Sequence, residues 1–385
     1  MANLQSFRNS QDSVALENLD LKNKNILARV DYNCPVGNLK VLNNFRIRES
    51  LKTLENLKEA GARKITLVTH FERPEGKYDS SLSLEPIRRE LENLWGEKVT
   101  CPEYTPDFNQ YAKQLRDSTF HVSGFSPSGR TGKFQVFMWE NIRFWAEEEK
   151  NDSDFARTLA QNQDIFINEA FSASHREHAS VVGVARLLPA YAGWRLAEEA
   201  RMIYQLTNGE AVPSVAIVGG AKIETKIPVL KALAKNYDQI ILGGKIAIEY
   251  EELRIKNEEL RKNNFSPNWT EKVVLPTGYL GEEKFDISRE SAESFAQIIR
   301  KAKKIIWNGP MGQFEKEEYR QGSEIVARAV AENKDALRLI GGGDTVELLE
   351  QLGLQNQVGF VSTGGGAMLE YIANGTLPGL EELEY

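Results

Sequence analysis

Cysteine is nearly missing from this chain: Cys34 and Cys101 are the only two in 385 residues. Two cysteines exclude a disulfide framework and a four-cysteine zinc site. They fit a reducing compartment, so a cytoplasmic protein is expected. Long apolar runs are missing as well. None approaches the roughly 18 residues needed to span a bilayer. Met1–Ser10 has no apolar h-region, so neither a signal peptide nor a membrane partner is expected. Positive charge is not in excess: the net charge is −7 and the pI lies near 5.5, which argues against a nucleic-acid partner. Gly-x-x-x-x-Gly-Lys-Ser/Thr does not occur, which excludes a standard P-loop, and neither Gly-x-Ser-x-Gly nor His-Glu-x-x-His is present. No internal repeat, low-complexity segment or flexible linker interrupts the chain.

What remains is an ordinary globular composition, 41% hydrophobic and 27% charged, over a length sufficient for two domains. Ile26–Val30, Lys64–Thr69, Val136–Trp139 and Ile165–Asn168 read as buried strands, with a short one opening at Val99. Arg46–Ala60, Leu84–Leu94 and Asp154–Ala160 carry helical periods. From Glu103 to Lys133 the pattern weakens, and Ser123–Gly132 reads as an irregular surface segment. Strands alternating with helices predict an α/β fold with doubly wound parallel sheets. Ala190–Thr207 reads as one helix, and the junction of two domains is placed on it: a first domain over 1–190, a helix over 191–207 and a second domain over 208–372.

In the second half the most informative stretch is Ser214–Lys226. Val215–Val218 suit a buried parallel strand, Gly219 and Gly220 allow a sharp turn, and a helix with Leu230, Leu233 and Ala234 as its apolar stripe follows. A helix N-terminus presents unpaired N–H groups and suits phosphate. Lys222 and Lys226 share a face if the first turn is helical. Further strands end in Gly243-Gly244, in Asn308–Gly312, in Gly341–Asp344 and in Thr363–Gly366. Five glycine-rich turns after strands point to one crowded edge where backbone approaches a bulky polyanion. Asp344 either caps the following helix or contacts Mg²⁺ beside nucleotide phosphates.

In the first half Arg46, Arg73, Arg143 and Arg176 lie in or near loops that follow strands, together with His70, His175 and His178; Asp31 and Asn33 add hydroxyl-binding groups. A doubly wound sheet brings such loops to one edge. Arginines gathered there in an acidic protein should bind a small anion.

These residues fall into a pattern that resembles phosphoglycerate kinase, from about Leu19 to Leu383. The agreeing stretches are Arg29–Pro35, Arg46-Ile47, Glu140–Phe144, His175–Ser180, Gly219–Ile223 with Lys226, Trp307–Gly312 with Phe314-Glu315, Gly341–Thr345 and Ser362–Ala367. The resemblance implies two doubly wound, Rossmann-like domains facing each other across a cleft, with a C-terminal segment (373–385) returning to the first. It implies 3-phosphoglycerate (or 1,3-bisphosphoglycerate) bound by Asp31, Tyr32, Asn33, Arg46, His70, Arg73, Arg143 and Arg176. It implies ADP or ATP bound by Gly219, Gly220, Lys226, Asn308, Glu315, Gly342, Gly343, Asp344 and Thr345, with Mg²⁺ near Asp344. Arg46, Lys222 and Lys226 are assigned to the transferring phosphoryl group, and a monomer is expected. An acyl phosphate has a good leaving group and the acceptor carboxylate carries no proton, so cations and helix N-termini suffice without a general base.

The chain departs from the family pattern at several places. Glu72 stands where Gly is usual, Glu169 and Ser172 replace Asp and Gly, Thr225 replaces an Asp between the two lysines, and Lys245 replaces a third glycine. The segment between Lys245 and Lys301, which helps wall the adenine and ribose in the family, is altered at Leu275–Gly278 and shortened at Phe285–Ser288. A non-catalytic nucleotide-binding relative and a kinase for another small carboxylate are the alternatives these departures raise.

Overall fold

Pentads such as Asn25–Arg29, Lys64–Val68 and Ser214–Val218 bury nearly every residue. Strands covered on both faces by helices have that character. The computed structural model describes residues 16, 19–117, 134–260 and 268–384. The expected irregular segment Ser123–Gly132 and the N-terminal stretch Met1–Ser10 lie outside the described residues. The chain divides into two compact units: Met1–Ala200 with Thr376–Tyr385, and Arg201–Gly375.

The first unit is built on β1 (Asn25–Arg29), β2 (Lys64–Val68), β3 (Val99–Thr100), β4 (Gln135–Met138), β5 (Ile165–Asn168) and β6 (Ala190–Ala192). They form one parallel sheet in the order β3-β4-β2-β1-β5-β6. Ile26 of β1 lies between Ile65 and Ile165 in register. After β1 the chain moves to one side, and at β5 it crosses to the other, so the switch point falls between β1 and β5. Ligands of such sheets sit outside the carboxyl ends of the strands at that point. The covering helices are α1 (Phe45–Glu59), α2 (Glu85–Trp95), α3 (Phe108–Asp117) and α4 (Ser153–Ala160). Helix α1 buries Ile47, Ser50, Thr53, Leu54 and Leu57 at three- and four-residue spacing. Helix α4 starts where Asp152 accepts the N–H groups of Asp154 and Phe155.

Two sequence expectations need correction. Helix α3 lies where no regular element is expected. Its buried residues Tyr111, Ala112 and Leu115 keep helical spacing, and Asp107 accepts the N–H groups of Asn109 and Gln110 at its start. The helix expected from Ala190 begins only at Trp194, as α5 (Trp194–Asn208). Ala190–Ala192 instead pairs with β5 as an added strand, because Gly193 breaks the helical run against the Glu169 side chain.

The second unit repeats the plan with β7 (Ser214–Val218), β8 (Gln239–Leu242), β9 (Val273–Val274), β10 (Lys304–Asn308), β11 (Leu337–Gly341) and β12 (Phe360–Val361). All are parallel, in the order β9-β8-β7-β10-β11-β12. The switch point is between β7 and β10. Helices α6 (Ile227–Asn236), α7 (Gly244–Leu260), α8 (Arg289–Lys301), α9 (Gln321–Glu332), α10 (Gly343–Gln351) and α11 (Gly365–Asn374) complete it. The Leu275–Ser288 stretch forms a small antiparallel ribbon, Tyr279–Leu280 against Asp286–Ile287, and Ser288 caps α8. Among the described residues no helix is long and apolar enough to cross a membrane.

The C-terminal residues carry a last turn, α12 (Pro378–Glu381), that belongs to the first unit. Leu377, Leu380 and Leu383 are buried there. The Gly379 N–H donates to Ser174 O at 2.8 Å, and the Glu384 N–H to Ala190 O at 2.7 Å. Each buried leucine is worth roughly 1.5–3 kcal/mol. Truncation after Gly375 is therefore expected to lower the thermal unfolding midpoint by on the order of 10 °C, read by circular dichroism.

Candidate functional site

In the first unit the backbone keeps a two-residue alternation beyond the end of β1. Val30, Tyr32 and Cys34 point into one core cluster. Asp31 and Asn33 take the opposite side, toward the sheet edge. Tyr32 is thus not free to face a ligand as expected: its ring is fully buried, and its hydroxyl lies 2.9 Å from Ser50 Oγ on α1. Burial of an aromatic body is worth more than a surface contact, so Tyr32 anchors the loop that carries its neighbours.

Asp31 is the acceptor at the centre. Its Oδ2 pairs with Arg46 from the first turn of α1 and also accepts the hydroxyl of Ser172. The Asn33 side chain accepts the Glu72 N–H at 3.0 Å, and Arg143 donates to Glu72 O at 2.7 Å. Both contacts use the Glu72 backbone, which has φ +52, while its side chain is exposed. The left-handed conformation explains why Gly suits this position. Glu72 therefore adds backbone strain and leaves its carboxylate on the solvent side.

Four guanidinium groups surround His70. Burial first, then Arg29, Arg143, Arg46 and Arg176, hold its imidazole well below its ordinary pKa. Arg29 lies 3.1 Å from His70 Nδ1. A guanidinium can only donate, so Nδ1 accepts and the ring is neutral with its proton on Nε2. His175 is pushed down to about 4, by burial and then by Arg176, whose Nε donates to His175 Nε2 at 3.2 Å. Arg143 itself is pushed down to about 10, by burial and then by Arg176 and Arg29. Cations crowded this closely with few carboxylates between them leave a positive field that a phosphate ester or carboxylate would neutralise. The third candidate histidine, His178, lies 3.6 Å from Glu148, the carboxylate beside Arg29. Arg73 is exposed, and no described contact brings it to the cluster.

Arg29 was not among the expected site residues, yet it ties the cluster to the scaffold. It is buried, donates from Nε to Ser180 Oγ at 2.9 Å, and lies beside Glu148. An arginine directly after the apolar Ile26–Ala28 run is the signal that could have found it. Glu169 has a different role from its neighbours. Its buried carboxylate accepts Thr53 Oγ1 at 2.7 Å and the Arg195 N–H at 3.2 Å, so it caps α5. The side chain fits only because residue 193 is Gly: a Cβ there would lie 1.7 Å from Glu169 Oε2. Burial pushes this carboxyl up to about 8.

In the second unit the glycine turns meet one another before they meet any ligand. A Cβ on Gly219 would lie 2.0 Å from Pro310 O, one on Gly309 would lie 2.4 Å from Gly219 O, and one on Gly365 would lie 2.5 Å from Gly342 Cα. The Gly219 N–H donates to Asn308 O at 2.8 Å, and the Gly309 N–H to Thr345 Oγ1 at 2.8 Å. Asn308 is buried between them, with its amide nitrogen beside Gly342. The turns after β8, β7, β10, β11 and β12 thus interlock along the strand order. By contrast Gly220, Gly343 and Gly366 have nothing within 4 Å of a Cβ position. These are the glycines that leave open backbone, and two of them lie in the first turns of α10 and α11. The two helix N-termini abut, so their positive ends add.

Asp344 does not cap α10. The cap position is Gly342, at φ +101, and Asp344 lies in the first turn with its carboxylate exposed. Among the described residues no hydrogen bond or ion pair engages it, and no cluster of three or more His, Cys, Asp or Glu could hold a metal alone. An uncommitted carboxylate beside open N–H groups is the donor set expected of a cation that arrives with phosphates. Glu315 is exposed after the Asn308–Gly312 turn. Lys222 and Lys226 do not share one α-helical face. Ile223–Thr225 is a 3₁₀ turn, Lys222 precedes it at φ +66, and α6 begins after Lys226. Lys226 is half-buried, and burial lowers its pKa. Lys245 is exposed on α7, 3.7 Å from Glu249.

Comparison with known proteins returns one family. The profile of the family described as "Phosphoglycerate kinase" matches residues 16–273 and 263–375. The phosphoglycerate kinase of Moorella thermoacetica is 36% identical over 410 residues, covering 96% of this chain and 98% of that protein. That of Thermus thermophilus is 36% identical over 404 residues, covering 96% and 99%. Among solved structures, phosphoglycerate kinase from Coxiella burnetii superposes with TM-score 0.75 at 30% identity, over 95% of this chain and 97% of that one. Phosphoglycerate kinase from Pyrococcus horikoshii gives TM-score 0.78 at 27% identity, over 96% and 98%.

Two outcomes follow from this geometry. Glu72→Gly removes a left-handed non-glycine residue and is expected to raise unfolding free energy by about 1 kcal/mol in urea titration, whereas Glu72→Ala gains nothing. His175 has a folded pKa below its unfolded value. Between pH 6.5 and about 4 the folded state binds fewer protons than the unfolded, so stability falls as pH drops through that window. His175→Gln should lose less stability than the parent over the same window; equal losses would contradict the burial of a neutral ring.

Proposed function

The chain belongs to the phosphoglycerate kinase family, and we propose that it catalyses reversible phosphoryl transfer between 1,3-bisphosphoglycerate and ADP, giving 3-phosphoglycerate and ATP. The acceptor in the reverse direction is the carboxylate of 3-phosphoglycerate. The observation that carries this reading is the pair of abutting helix N-termini, α10 and α11, beside the interlocked glycine turns. They form a seat for a polyanion in a chain whose relatives are kinases.

The first unit takes the acid. Arg143, Arg176 and the neutral His70 would bind its phosphate and carboxylate, and Asp31 and Asn33 its hydroxyl. Arg73 is assigned to the same ligand. Arg46 reaches the transferring group from α1 while Asp31 fixes its direction. The second unit takes the nucleotide. Gly220 and Gly343 leave open backbone for its phosphates, Gly219, Asn308, Gly342 and Thr345 are assigned to the same phosphate side, and Glu315 is assigned to the ribose end. Asp344 would hold Mg²⁺ together with the phosphates, and the ion supplies charge neutralisation there. Lys222 and Lys226 bring ammonium groups to the phosphoryl group in flight, where three equatorial oxygens need neutralising. No residue has to remove a proton, because the acceptor carboxylate has none to lose. The reading carries with it the family expectation of a cytoplasmic monomer.

Coupled ATP turnover with 3-phosphoglycerate and Mg²⁺ tests the proposal. Measurable turnover is expected, with a fall of on the order of a hundredfold in Lys226→Ala. A folded parent protein without turnover would sink it.

A further inference from the structure

Lys222 is held in a conformation that lysine rarely adopts, φ +66. Its side chain is exposed, and no described hydrogen bond of its own fixes it. The constraint comes from around it. The Ile246 N–H donates to Gly220 O at 3.1 Å. The Ile223 N–H donates to Glu249 Oε2 at 2.7 Å. Both contacts come from α7, and residues 246 and 249 share one face of that helix. Helix α7 therefore grips the loop two residues before Lys222 and one residue after it. Thr225 Oγ1 adds a bond to Lys222 O at 2.9 Å, so both sides of the 222–223 peptide are fixed.

Charge points the same way. Between Ala221 and Lys226 the only acid is Glu224, which is exposed. Glu249 is half-buried and brings a carboxylate to the loop from another element, with Lys245 3.7 Å from its other oxygen. Helix α7 thus supplies a half-buried carboxylate to a loop whose own acid is exposed.

We propose that Glu249 is a positioning residue for phosphoryl transfer: its carboxylate fixes the 222–223 peptide and so aims the Lys222 ammonium at the transferring group. The proposal rests on the kinase reading above. Glu249→Ala removes the acceptor, and Glu249→Gln keeps it while removing the charge. Steady-state turnover of the full chain with ATP, Mg²⁺ and 3-phosphoglycerate is measured for the parent and both variants, with thermal midpoints alongside. A misaimed catalytic group costs roughly tenfold or more. The expected result is a kcat about tenfold lower in Glu249→Ala, an unchanged KM for 3-phosphoglycerate, and recovery to within about threefold in Glu249→Gln, which still accepts the Ile223 N–H. A kcat in Glu249→Ala within twofold of the parent overturns the proposal. So do equal losses in both variants, or a loss that vanishes when rates are scaled to folded protein. Absence of turnover in the parent is a different failure, that of the kinase reading itself.

Discussion

Where the parallel strands of the second sheet end, the backbone approaches itself more closely than any side chain would allow. The rest of that unit depends on this. Because Gly219 rests on Pro310 and Gly309, and Gly365 on Gly342, the turns after five strands form one continuous layer. A Cβ at Gly309 would need the Gly219 carbonyl to move, and that carbonyl directly follows the strand at the switch point. Among the described residues no side-chain hydrogen bond caps α10 or α11, whose N-termini meet at one place, and a helix N-terminus attracts anions. Close packing, not the ligand, is the first reason for the glycines. That packing leaves openings at Gly220, Gly343 and Gly366, where nothing lies within 4 Å of a Cβ position.

The first unit reaches an anion site by a different route. There the side chains carry the charge, and the difficulty is holding several guanidinium groups together without a ligand. Three devices manage it. Asp31 takes Arg46, Glu149 lies 3.2 Å from Arg143, and Glu148 stands near Arg29. His70 and His175 stay neutral, so they accept hydrogen bonds from arginines instead of repelling them. A charged imidazole here would add like charge in a buried setting. The neutral His70 ring keeps its proton on Nε2 and can still donate to an incoming oxygen, so the same protonation state serves the cluster alone and the cluster with a bound acid.

Most of the sheet framework was legible in the sequence, because a buried parallel strand is a short apolar run ending in a polar or glycine-rich loop. Ile165–Asn168 and Lys304–Asn308 read that way at sight. Elements without that contrast were not legible. Ala190–Ala192 is too short and too rich in alanine to separate from the helix behind it, and only the Glu169 carboxylate against Gly193 shows why the helix waits until Trp194. Helix α3 kept its period at Tyr111, Ala112 and Leu115 but was masked by the weak pattern around it. At the sites, the residue types were legible and their directions were not. Tyr32 and Asn33 are neighbours in sequence, yet alternation sends one to the core and the other to the edge. Arg29 was hidden by lying inside a strand, where an arginine reads as an exception and not as a site.

Four of the departures from the family pattern have local contacts that accommodate them. Glu72 keeps its side chain outside and lends its backbone to Asn33 and Arg143. Ser172 donates to the carboxylate that already holds Arg46. The longer Glu169 fits because residue 193 has no side chain. Thr225 gives up a charge, but its hydroxyl secures Lys222 O, and a carboxylate arrives from α7 on the other side of the same peptide. Glu72 and Lys222 both stand in left-handed conformations, as Leu39 and Lys284 do elsewhere in the chain, and at Glu72 the substitution itself introduces the strain. Strain of this kind persists where surrounding contacts over-determine it, and here those contacts come from Asn33 and Arg143 at Glu72 and from Thr225 and Glu249 at Lys222.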